Sequence, residues 1–126
     1  MNQNATGQDV GDVAAAIQAK VRFCHSMAEV RESIDALDGQ IVALIAERGG
    51  YVAQAARLKQ RADQVHDSAR IEFIVDRVVA QARESGVPPA VLEATYRAMI
   101  DAFIAFEHEE FRRLRDQPGK QPGATA

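Results

Sequence analysis

Hydrophobic residues repeat at helical spacing in three segments of this chain, and nowhere do they alternate as in a convincing β-strand. The first segment runs from about residue 28 to 60. Its apolar positions, three and four residues apart, are Val30, Ile34, Leu37, Ile41, Leu44, Val52 and Ala55. Gly49 and Gly50 interrupt it, and each glycine inside a helix costs about 1 kcal/mol relative to alanine. Because the apolar positions keep their phase across the pair, we predict one long helix, straight or bent, rather than two.

Two further helices are predicted downstream. The second begins after Asp67 or Ser68, either of which can cap it, and ends at Gly86. The third opens at Pro88-Pro89, where a proline suits the first turn, and continues to about residue 114. The chain is therefore predicted to be all-α, with one long and two medium helices.

The two ends of the chain lack this periodicity. Residues 1–26 are predicted to be a mobile N-terminal extension, in which the Ala-rich stretch 13–20 is a candidate for a short helical turn. Residues 116–126 carry two Pro and two Gly and predict a disordered tail. The folded domain is then expected to be residues 27–115.

The length of the first helix has a consequence for assembly. About 33 residues at 1.5 Å each span roughly 50 Å, whereas a compact chain of 126 residues is under about 40 Å across. The helix is therefore expected to extend past its own domain and expose part of its apolar face. A second copy lying alongside would cover that face, which predicts a homodimer.

Composition narrows the classes of function. The net charge of −3 offers no positive excess for binding nucleic acid, and no apolar run reaches the roughly 20 residues of a membrane span. The single cysteine, Cys24, cannot form an internal disulfide and fits a reducing compartment, so a cytoplasmic protein is expected. The three histidines lack metal-ligand spacing, and we expect no metal and no cofactor.

Two cations, Arg48 and Lys59, interrupt the apolar face of the first helix. At 100° per residue they lie within about 20° of each other and roughly 16 Å apart along the axis. A cation on a buried face needs an anionic partner, and the two side chains are long enough to converge on a small dicarboxylate. The simpler alternatives are an internal salt bridge, or aliphatic stems lying along the core with solvated heads.

Three further residues are candidates for the same site. Glu107 falls on the apolar face of the third helix, where it either pairs with an inward cation or, when protonated, donates a hydrogen bond. Arg31 lies about 25 Å from Arg48 along one helix, so it can reach that site only from the other chain of an antiparallel dimer. Arg70 stands in the first turn of the second helix, where the dipole disfavours a cation, and it indicates either an anionic partner or a surface salt bridge.

These residues, in this order, resemble the all-helical class of chorismate mutases from about residue 27 to 111. The similarity is strongest in VRESIDALDGQIVALIAERGGYV followed by AARLK, and looser in VHDSAR and FIAFEHEEF. The resemblance implies an intertwined three-helix homodimer with two active sites, each completed by an arginine from the other subunit. It also implies an isomerase that rearranges chorismate to prephenate in the biosynthesis of phenylalanine and tyrosine.

The resemblance assigns roles to the residues singled out above. Arg31 from the other subunit and Arg48 would bind the substrate carboxylates, and Lys59 would donate to the ether oxygen and to a carboxylate. Asp67 and Arg70 would lie where the protein contacts the ring hydroxyl and a carboxylate of the substrate.

The reaction of this family is a concerted rearrangement without covalent catalysis. The enzyme must hold the substrate in its folded conformation and stabilise the charge that grows on the breaking ether bond. Glu107 falls where many members have a Gln that donates to the ether oxygen. A carboxyl group donates only when protonated, so activity is predicted to fall as rising pH removes the proton of Glu107.

Three features depart from the mutase pattern. Ile71 stands where many mutases have a Glu, Phe103 replaces a small Ser, and the interval from Lys59 to Arg70 is one residue shorter than in typical bacterial members. These features resemble the isochorismate-pyruvate lyases of salicylate synthesis, whereas Asp67 fits a mutase. Chorismate mutase is the first interpretation, the lyase is the second, and a catalytically inactive helical dimer with a regulatory or binding role is the third.

Overall fold

The computed structural model describes residues 3–116, and the side chains of residues 11–116. Within that range the chain forms helices and no β-strand, which confirms the all-α prediction. The α-helices are α1 (Gln3–Lys20), α2 (Met27–Leu58), α3 (Ser68–Ser85) and α4 (Pro89–Arg115), and a single 3₁₀ turn covers Ala62–Gln64. The predicted tail, apart from Asp116, lies outside the described residues. None of the described helices is long and apolar enough to cross a membrane.

Helix α2 continues without a break through Gly49 and Gly50, as predicted. The ring of Phe103, on the C-terminal half of α4, lies directly against Gly49. A Cβ atom at position 49 would stand 3.1 Å from Cε1 of Phe103, closer than an ordinary van der Waals contact. The missing side chain therefore lets the ring approach α2, and this contact offsets the cost of a glycine inside a helix, about 1 kcal/mol.

The ends of α3 and α4 follow local capping signals. Gly86 has a φ of 81°, in the left-handed region that favours glycine, and it directly follows the last residue of α3. The amide of Val87 then donates to the carbonyl of Ala82 at 3.1 Å, the backward hydrogen bond of a glycine-terminated helix. Helix α4 starts with Pro89 in its first turn, where the proline ring needs no amide partner. Both predicted boundaries are confirmed.

Helix α1 is longer than the sequence pattern predicts, since only a short turn over 13–20 was expected. It belongs to a compact unit that contains the described residues 3–27 and 68–99, and in this unit it packs against α3. Its apolar positions Val13 and Ile17 remain partly exposed, so its periodicity is faint. Packing against a neighbouring helix, more than propensity, stabilises such an element. The mobility of residues 1–26 and the 27–115 domain boundary stay predictions.

Among the described residues, the second compact unit contains 28–67 and 100–116. Its core is formed by Ala56 near the end of α2, Val65 after the 3₁₀ turn and Phe111 on α4, all of which are buried. Ile104 and Leu114 pack against this cluster. The core therefore joins the end of α2 to the last turns of α4.

The N-terminal two-thirds of α2 keeps its apolar face exposed in the single chain. The exposed fraction lies between 50% and 66% for the residues Ile34, Leu37, Ile41 and Leu44. These residues repeat at helical spacing, so they form one continuous stripe rather than scattered contacts. The exposure agrees with the expectation that this helix extends beyond the core of its own chain.

Candidate active site

Lys59 and Glu107 form a close ion pair beside the core of the second unit. Nζ of Lys59 donates to Oε2 of Glu107 across 2.6 Å. Glu107 is only 6% exposed, and the side chain of Lys59 is 27% exposed. A charge-assisted hydrogen bond of this length is among the stronger polar contacts in proteins. The sequence raised two alternatives for Glu107, and in the structure it pairs with an inward cation.

The backbone places Lys59 at the point where α2 ends. Its amide still donates to the carbonyl of Ala55 at 3.0 Å, as in a helix. The next two amides, those of Gln60 and Arg61, donate instead to Oε1 of Gln64 at 2.8 and 3.1 Å. The chain therefore leaves the helix directly after Lys59. Gln64 is a residue that the sequence analysis missed, although its spacing from Arg61 matches that of a capping pair.

Arg48 lies three helical turns before Lys59 and is half-buried. Its Cζ atom is 5.3 Å from the centroid of the Phe103 ring, a cation–π contact worth about 0.5–2 kcal/mol. Phe103 meets the ring of Phe106 edge to face, with centroids 6.2 Å apart. Because the same Phe103 ring lies on Gly49, the guanidinium is held against the surface between α2 and the C-terminal half of α4.

The two inward cations of α2 thus meet the same stretch of α4. Phe103 and Glu107 are four residues apart, about one turn or 6 Å of rise. Arg48 meets an aromatic face and Lys59 meets a carboxylate. The ammonium of Lys59 is paired with Glu107, and its side chain remains 27% exposed.

The remaining predicted site residues are exposed in the single chain. Arg31 lies on α2, about 25 Å from Arg48 along the helix axis, so one chain does not bring the two together. Asp67 directly precedes α3. Arg70 belongs to the first compact unit, where its guanidinium lies 5.2 Å from the centroid of the Phe73 ring. The anionic partner and the surface salt bridge, the two alternatives raised by the sequence for Arg70, stay predictions.

A second ionic cluster lies in the first unit and was not singled out from the sequence. Arg97 donates through both terminal nitrogens to the carboxylate of Glu72, at 3.1 Å each, and through Nε to Glu93 at 3.2 Å. The hydrogen bond and the positive charge of Arg97 hold the pKa of Glu72 below its ordinary value. The contact between Arg97 and Glu93 could have been predicted from their spacing, since residues four apart are neighbours on a helix.

No metal centre is formed among the described residues, where no three His, Cys, Asp or Glu side chains come together as metal ligands would. The candidate site is therefore built from two cations, a buried acid and an aromatic ring. This set binds anions and donates hydrogen bonds, and it contains no obvious nucleophile.

Comparison with known proteins identifies the family of this chain. Residues 30–108 match the family model of chorismate mutase type II, a segment that contains Arg31, Arg48, Lys59 and Glu107. The chain is 30% identical over 97 residues to a chorismate mutase from Methanocaldococcus jannaschii, covering 76% of this chain and 98% of that protein. It is 27% identical over 92 residues to an isochorismate pyruvate lyase from Pseudomonas aeruginosa, covering 73% of this chain and 91% of that protein. The all-helical resemblance noted from the sequence is confirmed, and the chain belongs to the chorismate mutase type II family.

Proposed function

We propose that this protein is a chorismate mutase, an isomerase that rearranges chorismate to prephenate. Family membership over residues 30–108 and similarity to a chorismate mutase along nearly its whole length support the assignment. The observation that carries it in this chain is the ammonium of Lys59, held 2.6 Å from a buried carboxylate oxygen. The proposal includes a cytoplasmic location and a role in aromatic amino-acid biosynthesis.

The chemistry needs electrostatic stabilisation more than acid–base or covalent catalysis. A C–O ether bond breaks while a C–C bond forms within the same molecule, and no proton or nucleophile enters the balance. Negative charge grows on the ether oxygen in the transition state, and a donor already aimed at that oxygen lowers the barrier. Lys59 is this donor: its ammonium carries three N–H groups, of which one is directed to Glu107, and two serve the ether oxygen and a carboxylate.

Glu107 holds the ammonium of Lys59 through their 2.6 Å hydrogen bond. The contact fixes the direction of the ammonium, so that its other two N–H groups are available to the ether oxygen and to a carboxylate of the substrate. In this proposal Glu107 orients the donor.

Arg48 binds a substrate carboxylate, with its guanidinium held against Phe103. The other arginine, Arg31, comes from the second subunit of a homodimer, because it lies about 25 Å from Arg48 on the same helix. Asp67 and Arg70 contact the ring hydroxyl and a carboxylate. The substrate is thereby held in the folded conformation from which it reacts, which is the entropic part of the catalysis.

The exposed apolar stripe of α2 supports the homodimer. Ile34, Leu37, Ile41 and Leu44 lie on a helix of 32 residues, roughly 48 Å long, and a second α2 of the same kind would cover them. Covering large apolar side chains removes them from water, which favours association.

A second candidate function is isochorismate pyruvate lyase, the activity named for the relative from Pseudomonas aeruginosa. The observation that favours it is Phe103, which occupies the space beside Arg48 and Gly49. A bulky ring at this place changes the shape of the region that receives the substrate. A catalytically inactive helical dimer is the third candidate.

One assay separates the three functions. Purified protein is incubated with chorismate and, separately, with isochorismate, and the products are identified by chromatography. Prephenate from chorismate at enzymatic rates is expected, and Arg48→Ala should abolish it while leaving the protein folded by circular dichroism. Salicylate and pyruvate from isochorismate, with no prephenate from chorismate, would identify a lyase. If neither compound gives a product, the catalytically inactive dimer is the remaining interpretation.

A further inference from the structure

Lys59 is held by α4 at both its side chain and its backbone. Glu107 accepts the hydrogen bond of its ammonium, and Arg115, eight residues further along α4, donates from Nη2 to its carbonyl oxygen. Nη1 of Arg115 also donates to the carbonyl of Ala56 at 3.4 Å. One guanidinium therefore spans the carbonyl of Ala56, in the last turn of α2, and that of Lys59, the residue that follows the helix.

These carbonyls need a partner because α2 ends here. In a continuing helix the Ala56 carbonyl would accept from the amide of Gln60, but that amide donates to the side chain of Gln64. The last carbonyls of any helix lack intrahelical donors and carry the negative end of its dipole. A guanidinium supplies both the hydrogen bonds and the positive charge that such an end favours. Arg115 is thus a C-terminal cap provided by another helix.

The cap is itself braced by the core. The Cζ atom of Arg115 lies 4.1 Å from the centroid of the Phe111 ring, one turn earlier on α4. Phe111 is buried against Ala56 and Val65. Stacking on a buried ring fixes the plane of the guanidinium, and its rigid fork matches two acceptors better than an ammonium does.

We propose that Arg115 is a positioning residue that holds the end of α2, and so sets where the ammonium of Lys59 stands. The inference rests on the proposed function for the role of Lys59, and it adds a residue outside the segment 30–108 that matches the family. Helix ends fray unless they are capped. Catalysis suffers from small displacements, since a misplacement of about 1 Å can cost on the order of 100-fold in rate.

The first experiment compares Arg115→Ala with Arg112→Ala, which removes an exposed arginine from the same turn of α4. Arg115→Ala is expected to lower kcat by about tenfold or more with little change in KM, and Arg112→Ala is expected to leave both unchanged. Hydrogen exchange at the amides of residues 58–61 should quicken in Arg115→Ala only. Arg115→Lys should recover only part of the activity, because an ammonium supplies the positive charge but lacks the rigid fork of the guanidinium. Either wild-type kcat or wild-type exchange in Arg115→Ala would overturn the inference.

A double-mutant cycle separates positioning from general stabilisation. In a Lys59→Gln background, removal of Arg115 is expected to lower kcat little further, because its effect passes through Lys59. If Arg115→Ala lowers kcat by the same factor in the Lys59→Gln background as in the wild type, the inference is overturned. If Arg115→Ala does not fold, as judged by circular dichroism, Arg115→Lys takes its place in both the cycle and the exchange measurement.

Failure of the proposed function is distinguishable from failure of this inference. A wild-type protein that converts neither chorismate nor isochorismate would refute the enzyme assignment and leave the exchange measurement to test the cap. Unchanged exchange at 58–61 in Arg115→Ala, in an active or inactive protein, would refute the cap.

Discussion

The carboxylate of Glu107 is almost completely buried and lies 2.6 Å from the ammonium of Lys59, whose own side chain is about one-quarter exposed. The two partners therefore differ in whether the remaining group can reach water once the other is removed. A bare ammonium at this place still reaches water, whereas a bare carboxylate does not. The asymmetry determines how the fold should respond to mutation of each group.

Removing the cation is expected to destabilise the fold more than removing the acid. Lys59→Met leaves a buried carboxylate without its partner, a change that costs about 3–5 kcal/mol in well-buried pairs and less here because Lys59 is partly solvated. Lys59→Met combined with Glu107→Leu should recover most of the loss. Urea unfolding of the single and double variants measures this, and equal destabilisation by Lys59→Met and by the double variant would contradict it.

The side chain at position 107 is expected to affect activity through its contact with Lys59. Glu107→Gln keeps an oxygen that accepts from the ammonium, and its amide can also donate to the ether oxygen. Glu107→Leu removes both contacts, so Glu107→Gln should have the higher kcat/KM of the two variants. Measuring kcat/KM for both variants tests the role of this group. Equal values in the two would remove Glu107 from the mechanism.

The adjacent glycines of α2 should respond differently to alanine. At Gly50 no atom outside its own helix lies within 4 Å of an added Cβ among the described residues, so Gly50→Ala should stabilise by up to about 1 kcal/mol. At Gly49 the added methyl group meets Phe103 at 3.1 Å, and the ring must move away from Arg48. Gly49→Ala should therefore be less stable than Gly50→Ala and raise KM. Equal thermal midpoints for the two variants would show that the ring is not confined.

Complementation between inactive chains tests the shared active site. A dimer of one Arg31→Ala chain and one Lys59→Ala chain contains one site in which both residues are intact. Random mixing makes half of the dimers mixed, so about one quarter of the wild-type activity should return. The two variants are unfolded and refolded together, and their activity is compared with that of each variant refolded alone. Activity no higher than that of the separate variants would refute the contribution of Arg31 across the dimer.

The exposed pair of Glu72 and Arg97 should contribute stability that depends on pH and salt. The pKa of Glu72 is lower in the folded protein than its ordinary value of 4.5, chiefly because Arg97 donates hydrogen bonds to it. A lowered carboxyl pKa gives stability that is complete above pH 4.5 and is lost as pH falls through the folded-state value. The stability difference between wild type and Glu72→Gln should therefore shrink in acid and in high salt. A difference that persists under both conditions would mean that the pair does not cause it.

Much of the fold could be predicted because its signals are local. Periodicity across Gly49 and Gly50 indicated one continuous α2, and Gly86 and Pro89 marked the ends of neighbouring helices. The full length of helix α1 was not predicted, because its apolar positions are sparse. Its packing against α3 stabilises it, and a local sequence pattern does not show such packing. The inward placement of Arg48 and Lys59 was also readable, since the helical period alone puts both on one stripe.

The sequence by itself determined that this chain is helical, where α2, α3 and α4 lie, and that two cations and an acid stand on faces expected to be apolar. Only the tertiary structure decided that Glu107 pairs with Lys59, from which it is separated by 48 residues, and that Arg115 caps the turn from which Lys59 projects. The physical reason is the reach of each interaction. Helical period and capping act within a few residues, whereas the partner of a long charged side chain depends on how distant segments pack.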